Sequence, residues 1–211
     1  MLFILQLPIF PHMKNPSRLS RQLAFLCEID KVKSVRRRTL LMDGSRREND
    51  AEHAWHLAIM ALIFSELSHS RRLNLLTVLK MLLIHDIVEI DCGDTFLYDD
   101  KKRKLCKKQE RKAARRIFSL LPHNQAREFM KLWIEFEARK TPEARFAAAI
   151  DRFQPVLHNY KTRGKVWRRA VVRPEQVLTK NRHIADGAPV LWDYVQKLVK
   201  DGIKRGYFKK R

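Results

Sequence analysis

Cysteine, glycine and proline are all scarce in this chain, and each shortage excludes something. The three cysteines, Cys27, Cys92 and Cys106, are widely spaced and odd in number. They make neither a disulfide framework nor a Cys-x-x-Cys metal knuckle, which points to a reducing, cytoplasmic setting. Cys92 lies near an acidic cluster but has no activating base beside it, so it reads as a small half-buried turn residue. With only 6 Gly and 8 Pro in 211 residues, and with Leu, Ala, Arg and Lys abundant, the composition favours helices over sheet. No apolar run is long enough to span a bilayer. The apolar start, Met1 to Phe10, lacks the basic n-region and the small-residue cleavage site of a secretory signal. We read residues 1–14 as a flexible extension or a misassigned start, with Met13 as the alternative initiator, and residues 15–211 as one domain.

Acidic residues are also in short supply. Asp and Glu total 23 against 44 Lys and Arg, a formal charge of +21. Such a surface attracts phosphates, nucleic acid or acidic headgroups over long range. The densest basic block runs from Lys101 to Arg116. Its apolar positions Leu105, Ala113, Ile117 and Leu120 form a thin helical stripe, so its charges read mainly as the wet side of a helix. The overall excess still suggests an anionic ligand.

Helical spacing recurs along the chain. A helix is expected from Asn15 or Ser17 to Lys33, a second from a cap at Asp50 to about Leu67, and a third over Leu73 to Ile90, capped by Asn74 or Thr77 and closed by Gly93-Asp94. Beyond the basic helix, further helices are expected at Pro122–Arg139, from Thr141-Pro142-Glu143 to a kink or restart at Pro155, at Pro174–Asn181, and from Ala188-Pro189 to about Arg205. The segment Arg36–Asp50, with Asp43-Gly44, reads as an irregular loop. No strand pattern emerges, so the expected fold is all-α, a single-domain helical bundle.

Within the third helix, His85-Asp86 interrupts a run of Leu, Ile, Val and Met. Burying an imidazole beside a carboxylate is costly unless both are paired or bound to a metal. His53 and Asp151 stand in similarly apolar contexts on two other helices. Each alone reads more simply as a hydrogen-bonded core group, but together they call for a common partner. Two His and two Asp suit one divalent ion, Mn²⁺, Co²⁺, Mg²⁺, Fe²⁺ or Zn²⁺, that activates water.

The ordered set of Glu52-His53, then His85-Asp86, then Asp151, resembles the HD-domain metal-dependent phosphohydrolases. The stretches Arg47–His56 and His85–Asp94 are similar to the branch that contains bacterial 5′-deoxynucleotidases. The resemblance implies an HD-type helical bundle with metal ligands His53, His85, Asp86 and Asp151. It places the acidic catalytic partners at Glu89 and Asp94. An arginine and an aromatic residue that contact substrate in that branch fall on Arg38-Thr39, so the arginine is present and the aromatic is not. Arg36 is a further candidate for substrate phosphate, as are Arg37, Arg46 and Lys33, and His158 and Asn159 are candidates for the pocket rim.

The resulting expectation is a metal-dependent hydrolase of a phosphate ester, most simply of a nucleotide, acting through a metal-activated water. A homodimer is expected, with the last helix (Val190, Leu191, Trp192, Val195, Leu198, Val199) as its contact. The rival reading is a non-catalytic metal and nucleotide sensor, or a nucleic-acid-associated protein using the basic face. An oxygenase on the same fold ranks last, because it needs a second iron and more His ligands than His56 supplies.

Overall fold

Ser17 accepts a hydrogen bond from the Ser20 amide and opens α1, Arg18–Ile29, which passes into a 3₁₀ turn at Asp30–Ser34. The computed structural model describes residues 16–209. The expected N-terminal extension and the alternative cap Asn15 lie outside them. The chain then forms β1, Arg36–Leu40, and β2, Arg47–Asn49, an antiparallel pair whose register slips between Arg36↔Asn49 and Leu40↔Arg47. This hairpin corrects the expected irregular loop. Its strands are too basic to show apolar alternation, yet Asp43-Gly44 is a hairpin-turn dipeptide, and Gly44 takes the positive φ of 73° that such turns require.

Helices make up the rest. α2 is Asp50–Phe64, α3 Leu75–Ile84, α4 Glu89–Cys92, α5 Asp100–Phe118, α6 His123–Ala138 and α7 Pro142–Lys161. The short α8, Lys165–Arg169, precedes α9, Pro174–Asn181, α10, Ile184–Gly187, and α11, Pro189–Lys204. The mostly helical expectation holds, with most boundaries within a turn. Two expectations need correction. The third helix is not continuous: it stops at Ile84, and His85–Val88 form a 3₁₀ turn before α4. Pro155 neither ends nor restarts α7, which runs through it.

α7 is the central element, touched by α2, α3, α6, α10 and α11. Its run Ala147-Ala148-Ala149 is buried, and such small side chains let neighbouring helices approach closely. α10 comes so close that a Cβ on Gly187 would lie 2.3 Å from the Arg145 carbonyl oxygen. Leu57, Met81, Leu82, Ile117 and Ile150 complete a core sealed from water. Truncating any one of them to Ala would cost about 2–5 kcal/mol. The apolar stripe of α11 (Leu191, Val195, Leu198, Val199) is part of this core. Four of the six residues expected at a dimer contact are therefore taken up by the core, while Val190 is exposed and Trp192 half-buried; Tyr194 and Ile203 are the other large apolar side chains that α11 leaves exposed.

Candidate metal centre

His53 enters the core because the start of α2 is tightly defined. Asn49, not the expected Asp50, is the cap: its side chain accepts from the Glu52 amide at 2.9 Å, and Glu52 returns a bond to the Asn49 amide at 3.0 Å. This reciprocal box satisfies two amides that would otherwise be orphaned at the helix end. One turn in, His53 is fully buried, with Nε2 3.1 Å from Asp151 Oδ1 on α7.

His85 and Asp86 come from the 3₁₀ turn after α3. His85 Nδ1 lies 2.9 Å from the Leu82 carbonyl oxygen, so that nitrogen donates and Nε2 is left facing inward. His85 Nε2 is 3.1 Å from Asp86 Oδ2 and 3.6 Å from Asp151 Oδ1, and His53 Nε2 is 3.9 Å from Asp86 Oδ2. The four residues expected as ligands therefore meet at one point, contributed by three separate segments.

The donor set fits a divalent cation. His85 Nε2 is buried and has no hydrogen-bond partner, while His53, His85 and Asp86 can each offer a ligand atom within 4.8 Å of the others. The electrostatics of the protein agree. Burial would depress the His85 imidazole, but Asp86 and Asp151 overcome it and push its pKa up to about 10. Burial likewise opposes ionisation of Asp86, yet His85 and Arg37 hold its carboxyl far below the usual range. Asp151 is held low mainly by Arg152 and His53 against the same opposition. The pocket thus favours positive charge between its carboxylates, which a divalent ion satisfies better than protons do.

Around the four lies a ring of acids with an unexpected cation. Arg37 is buried, not a surface phosphate contact: Nη1 donates to Asp86 Oδ2 at 2.6 Å and to Asp50 Oδ1 at 2.9 Å. Asp50, Asp86 and Glu89 can bring carboxylate oxygens within 4.8 Å of one another. Burial and the Asp86 charge push Asp50 up to about 6 and raise Glu89 well above its ordinary value. The shift at Glu89 favours its protonated form, burial first and the Asp86 charge second. Cys92 is inert, since burial and then Glu110 push its thiol up to about 12.

His85, Asp86 and Asp151 line a cleft of about 190 Å³, with His53 buried behind them. Asp94, just past Gly93 (φ 69°), lines it near Glu89, and Arg38 lies over the Phe96 ring at 5.1 Å. Thr39 is part of the wall, and Phe96 brings an aromatic ring to Arg38 from a different segment. The rest of the lining is strongly basic: Arg103 and Lys107 of α5, Arg139 after α6, and Arg152, whose Nε is 3.4 Å from Asp151 Oδ2. These four were missed in the sequence. Arg103 and Lys107, four apart on a helix, were legible only as part of a uniformly basic run.

One expected phosphate contact, Arg36, and one expected rim residue, His158, are elsewhere. Arg36 points outward, the alternate side of β1 from Arg37, with Nη1 3.5 Å from the Arg47 carbonyl oxygen, and is not in the cleft. His158 is buried behind the site, bonded to the Leu40 carbonyl oxygen at 2.9 Å, because two helical turns beyond Asp151 carry it past the pocket. Asn159 does reach the wall, anchored by its Nδ2 donating to the Pro155 carbonyl oxygen at 2.7 Å.

Residues 29–192 match the family model described as HD domain. The chain superimposes on the crystal structure of a predicted metal-dependent phosphohydrolase from Magnetospirillum magnetotacticum with a TM-score of 0.86 and 48% identity. That match covers 92% of this chain and 97% of the other. The 5′-deoxynucleotidase HDDC2 of Homo sapiens is 28% identical over 136 residues, 64% of this chain and 65% of that protein. The chain thus spans just under two thirds of that relative. The 5′-deoxynucleotidase hdd1 of Schizosaccharomyces pombe is 27% identical over 152 residues, 70% of this chain and 75% of the relative.

Proposed function

The chain belongs to the HD-domain family, and from that premise we propose that it is a metal-dependent phosphohydrolase cleaving the phosphate ester of a nucleotide, a 5′-nucleotidase-like phosphomonoesterase. One observation carries the reading: His53, His85, Asp86 and Asp151 meet at one point, and the cleft that His85, Asp86 and Asp151 line also presents Arg38, Arg103, Arg139 and Arg152. A phosphate monoester is dianionic at its head and needs both a polarising centre and cationic neighbours. The similar proteins named as phosphohydrolase and 5′-deoxynucleotidases support the same class.

A divalent ion held by His53, His85, Asp86 and Asp151 supplies Lewis acidity toward a phosphoryl oxygen and lowers the pKa of water. The protein does the rest. Arg38, Arg103 and Arg152 hold the phosphate oxygens against the acidic floor. Glu89, whose pKa is raised by burial and by Asp86, is the acid that serves the ester oxygen of the leaving alcohol. Asp94 orients the substrate from the adjoining turn, and Asn159 offers its unpaired Oδ1 from the opposite wall. Phe96 and Tyr98, edge to face at 5.1 Å, line the space next to the phosphate subsite and accept the sugar and base.

We place the protein in the cytoplasm as a homodimer. Among the described residues no helix is long and apolar enough to cross a membrane. α2 leaves Trp55, Ile59, Leu62 and Ile63 exposed on its outer face, a stripe at helical spacing that suits a subunit contact. The deciding experiment is phosphate release from a panel of nucleotides with Mn²⁺, Co²⁺, Mg²⁺, Fe²⁺ or Zn²⁺, alongside metal analysis of the purified protein. Turnover in wild type and its loss in Asp86→Ala is the expected result. A metal-loaded protein that releases nothing from the whole panel overturns the reading and leaves a binding role.

A further inference from the structure

Behind His53, on the side away from the cleft, a second group of potential ligands is packed together: Glu48 of β2, His56 of α2, and Gln154 and His158 of α7. Glu48, Gln154 and His158 are buried and His56 is half-buried. Gln154 Nε2 lies 2.6 Å from Glu48 Oε1 and 3.1 Å from His158 Nε2, which is itself 3.3 Å from His56 Nδ1.

As a hydrogen-bonded network this cluster is poorly matched. His158 Nδ1 donates to the Leu40 carbonyl oxygen, so in the neutral ring Nε2 has a single lone pair. Two donors, the Gln154 amide and His56 Nδ1, would converge on that one pair. Meanwhile Gln154 Oε1 is fully buried without any partner. Both imidazoles are held below their ordinary pKa, His158 by burial, and His56 by burial and then by His158. A further proton on the pair is therefore disfavoured.

We propose that Glu48, His56, His158 and Gln154 form a second divalent-cation site, of the closed structural type that zinc takes. With the Gln154 amide turned over, its orphaned oxygen takes the place of the nitrogen, and two oxygens and two imidazole nitrogens surround one point. Tetrahedral coordination at bond lengths of about 2.0–2.1 Å puts neighbouring ligand atoms roughly 3.3 Å apart. The 3.3 Å and 3.1 Å separations here match that spacing, the 2.6 Å pair needs to open, and Glu48, His56 and His158 can each offer an atom within 4.8 Å of the others. Four protein ligands leave no position for substrate, so the role is structural. The ion would tie β2 to α2 and α7, bracing the hairpin that carries Arg37 and Arg38 to the cleft. His56, the half-exposed member, marks the entry side.

The site stands independently of the hydrolase reading, because none of its four side chains lines the cleft. The full chain, stripped with a chelator and titrated with Co²⁺ alone, should bind two equivalents, one with the intense visible absorption of tetrahedral cobalt. His56→Ala should lose that absorption and fall to one equivalent, while His85→Ala should fall to one equivalent and keep it. The wild-type measurement requires no variant to fold. Wild type without the tetrahedral absorption overturns the proposal, as does a tetrahedral absorption that survives His56→Ala or one that disappears in His85→Ala. A single tetrahedral equivalent lost only in His56→Ala supports this site and counts against the cleft site instead.

Discussion

α5 and α7 carry charge in opposite ways. α5 is covered in Lys and Arg, nearly all of them exposed, and only Cys106, Ala113, Ala114, Ile117 and Phe118 are buried. α7 buries twelve of its twenty residues, Asp151, Gln154, His158 and Asn159 among them. A solvated lysine costs little and so says little about chemistry. A carboxylate sealed among alanines is costly, so its presence demands a compensating partner. One buried Asp on α7 is therefore more informative than the whole basic face of α5.

The sharpest way to break that contrast is to remove the buried charge. Asp151→Ala should abolish bound metal at the cleft site and reduce phosphate release by roughly 10³-fold or more. Chelation should reproduce the loss in wild type, reversibly on adding the ion back. Full activity in Asp151→Ala would show that this buried acid is only a core group. Glu89→Gln comes next: kcat should fall about 10²–10⁴-fold while metal content is unchanged, since the proton is lost and not the ligand set.

A smaller effect tests α5 against itself. Arg103→Ala, on the side facing the cleft, should raise KM about tenfold with kcat nearly intact, as expected for a contact to phosphate. Lys104→Ala and Lys108→Ala, on the outer side, should leave both constants unchanged. Equal effects from all three would mean that α5 acts only through its overall field.

The smallest test concerns His183, which faces Arg103 of α5 and Arg152 of α7 across the cleft. Burial, then Arg139 and Arg152, push its imidazole down to about 4 from 6.5. Between those values the unfolded chain binds a proton that the folded chain refuses. Its contribution to stability is therefore complete above pH 6.5 and is lost as pH falls toward 4. Urea midpoints measured over that window should decline in wild type and decline less in His183→Gln. Identical slopes would remove His183 from the account.

How much was legible differs from residue to residue. Helix starts at Ser17, Asn74 and Thr141 were readable because capping is local chemistry, and all three side chains accept from amides three residues on. His53, His85, Asp86 and Asp151 were readable because each is a polar residue where the pattern calls for an apolar one. The break at Ile84 was not, since a 3₁₀ turn and an α-helix share the same apolar run and differ only in how the chain must aim His85 and Asp86. Arg37 was equally opaque. Among four consecutive basic and polar residues, nothing local says that Arg37 turns inward to Asp50 and Asp86 while Arg36 stays outside and Arg38 lines the cleft.

The sequence by itself determined the mostly helical fold, several of its caps and the four residues that meet at the candidate metal centre, because propensity, capping and the cost of burying charge act over a few positions. Only the tertiary structure decided which arginines line the cleft, that Arg37 neutralises the acids, and that His158 joins His56 and Glu48 behind His53. Those outcomes depend on which segments meet across more than a hundred residues, as when Gln154 reaches Glu48. Electrostatic partners act through space, and their distances exist only after the helices have packed.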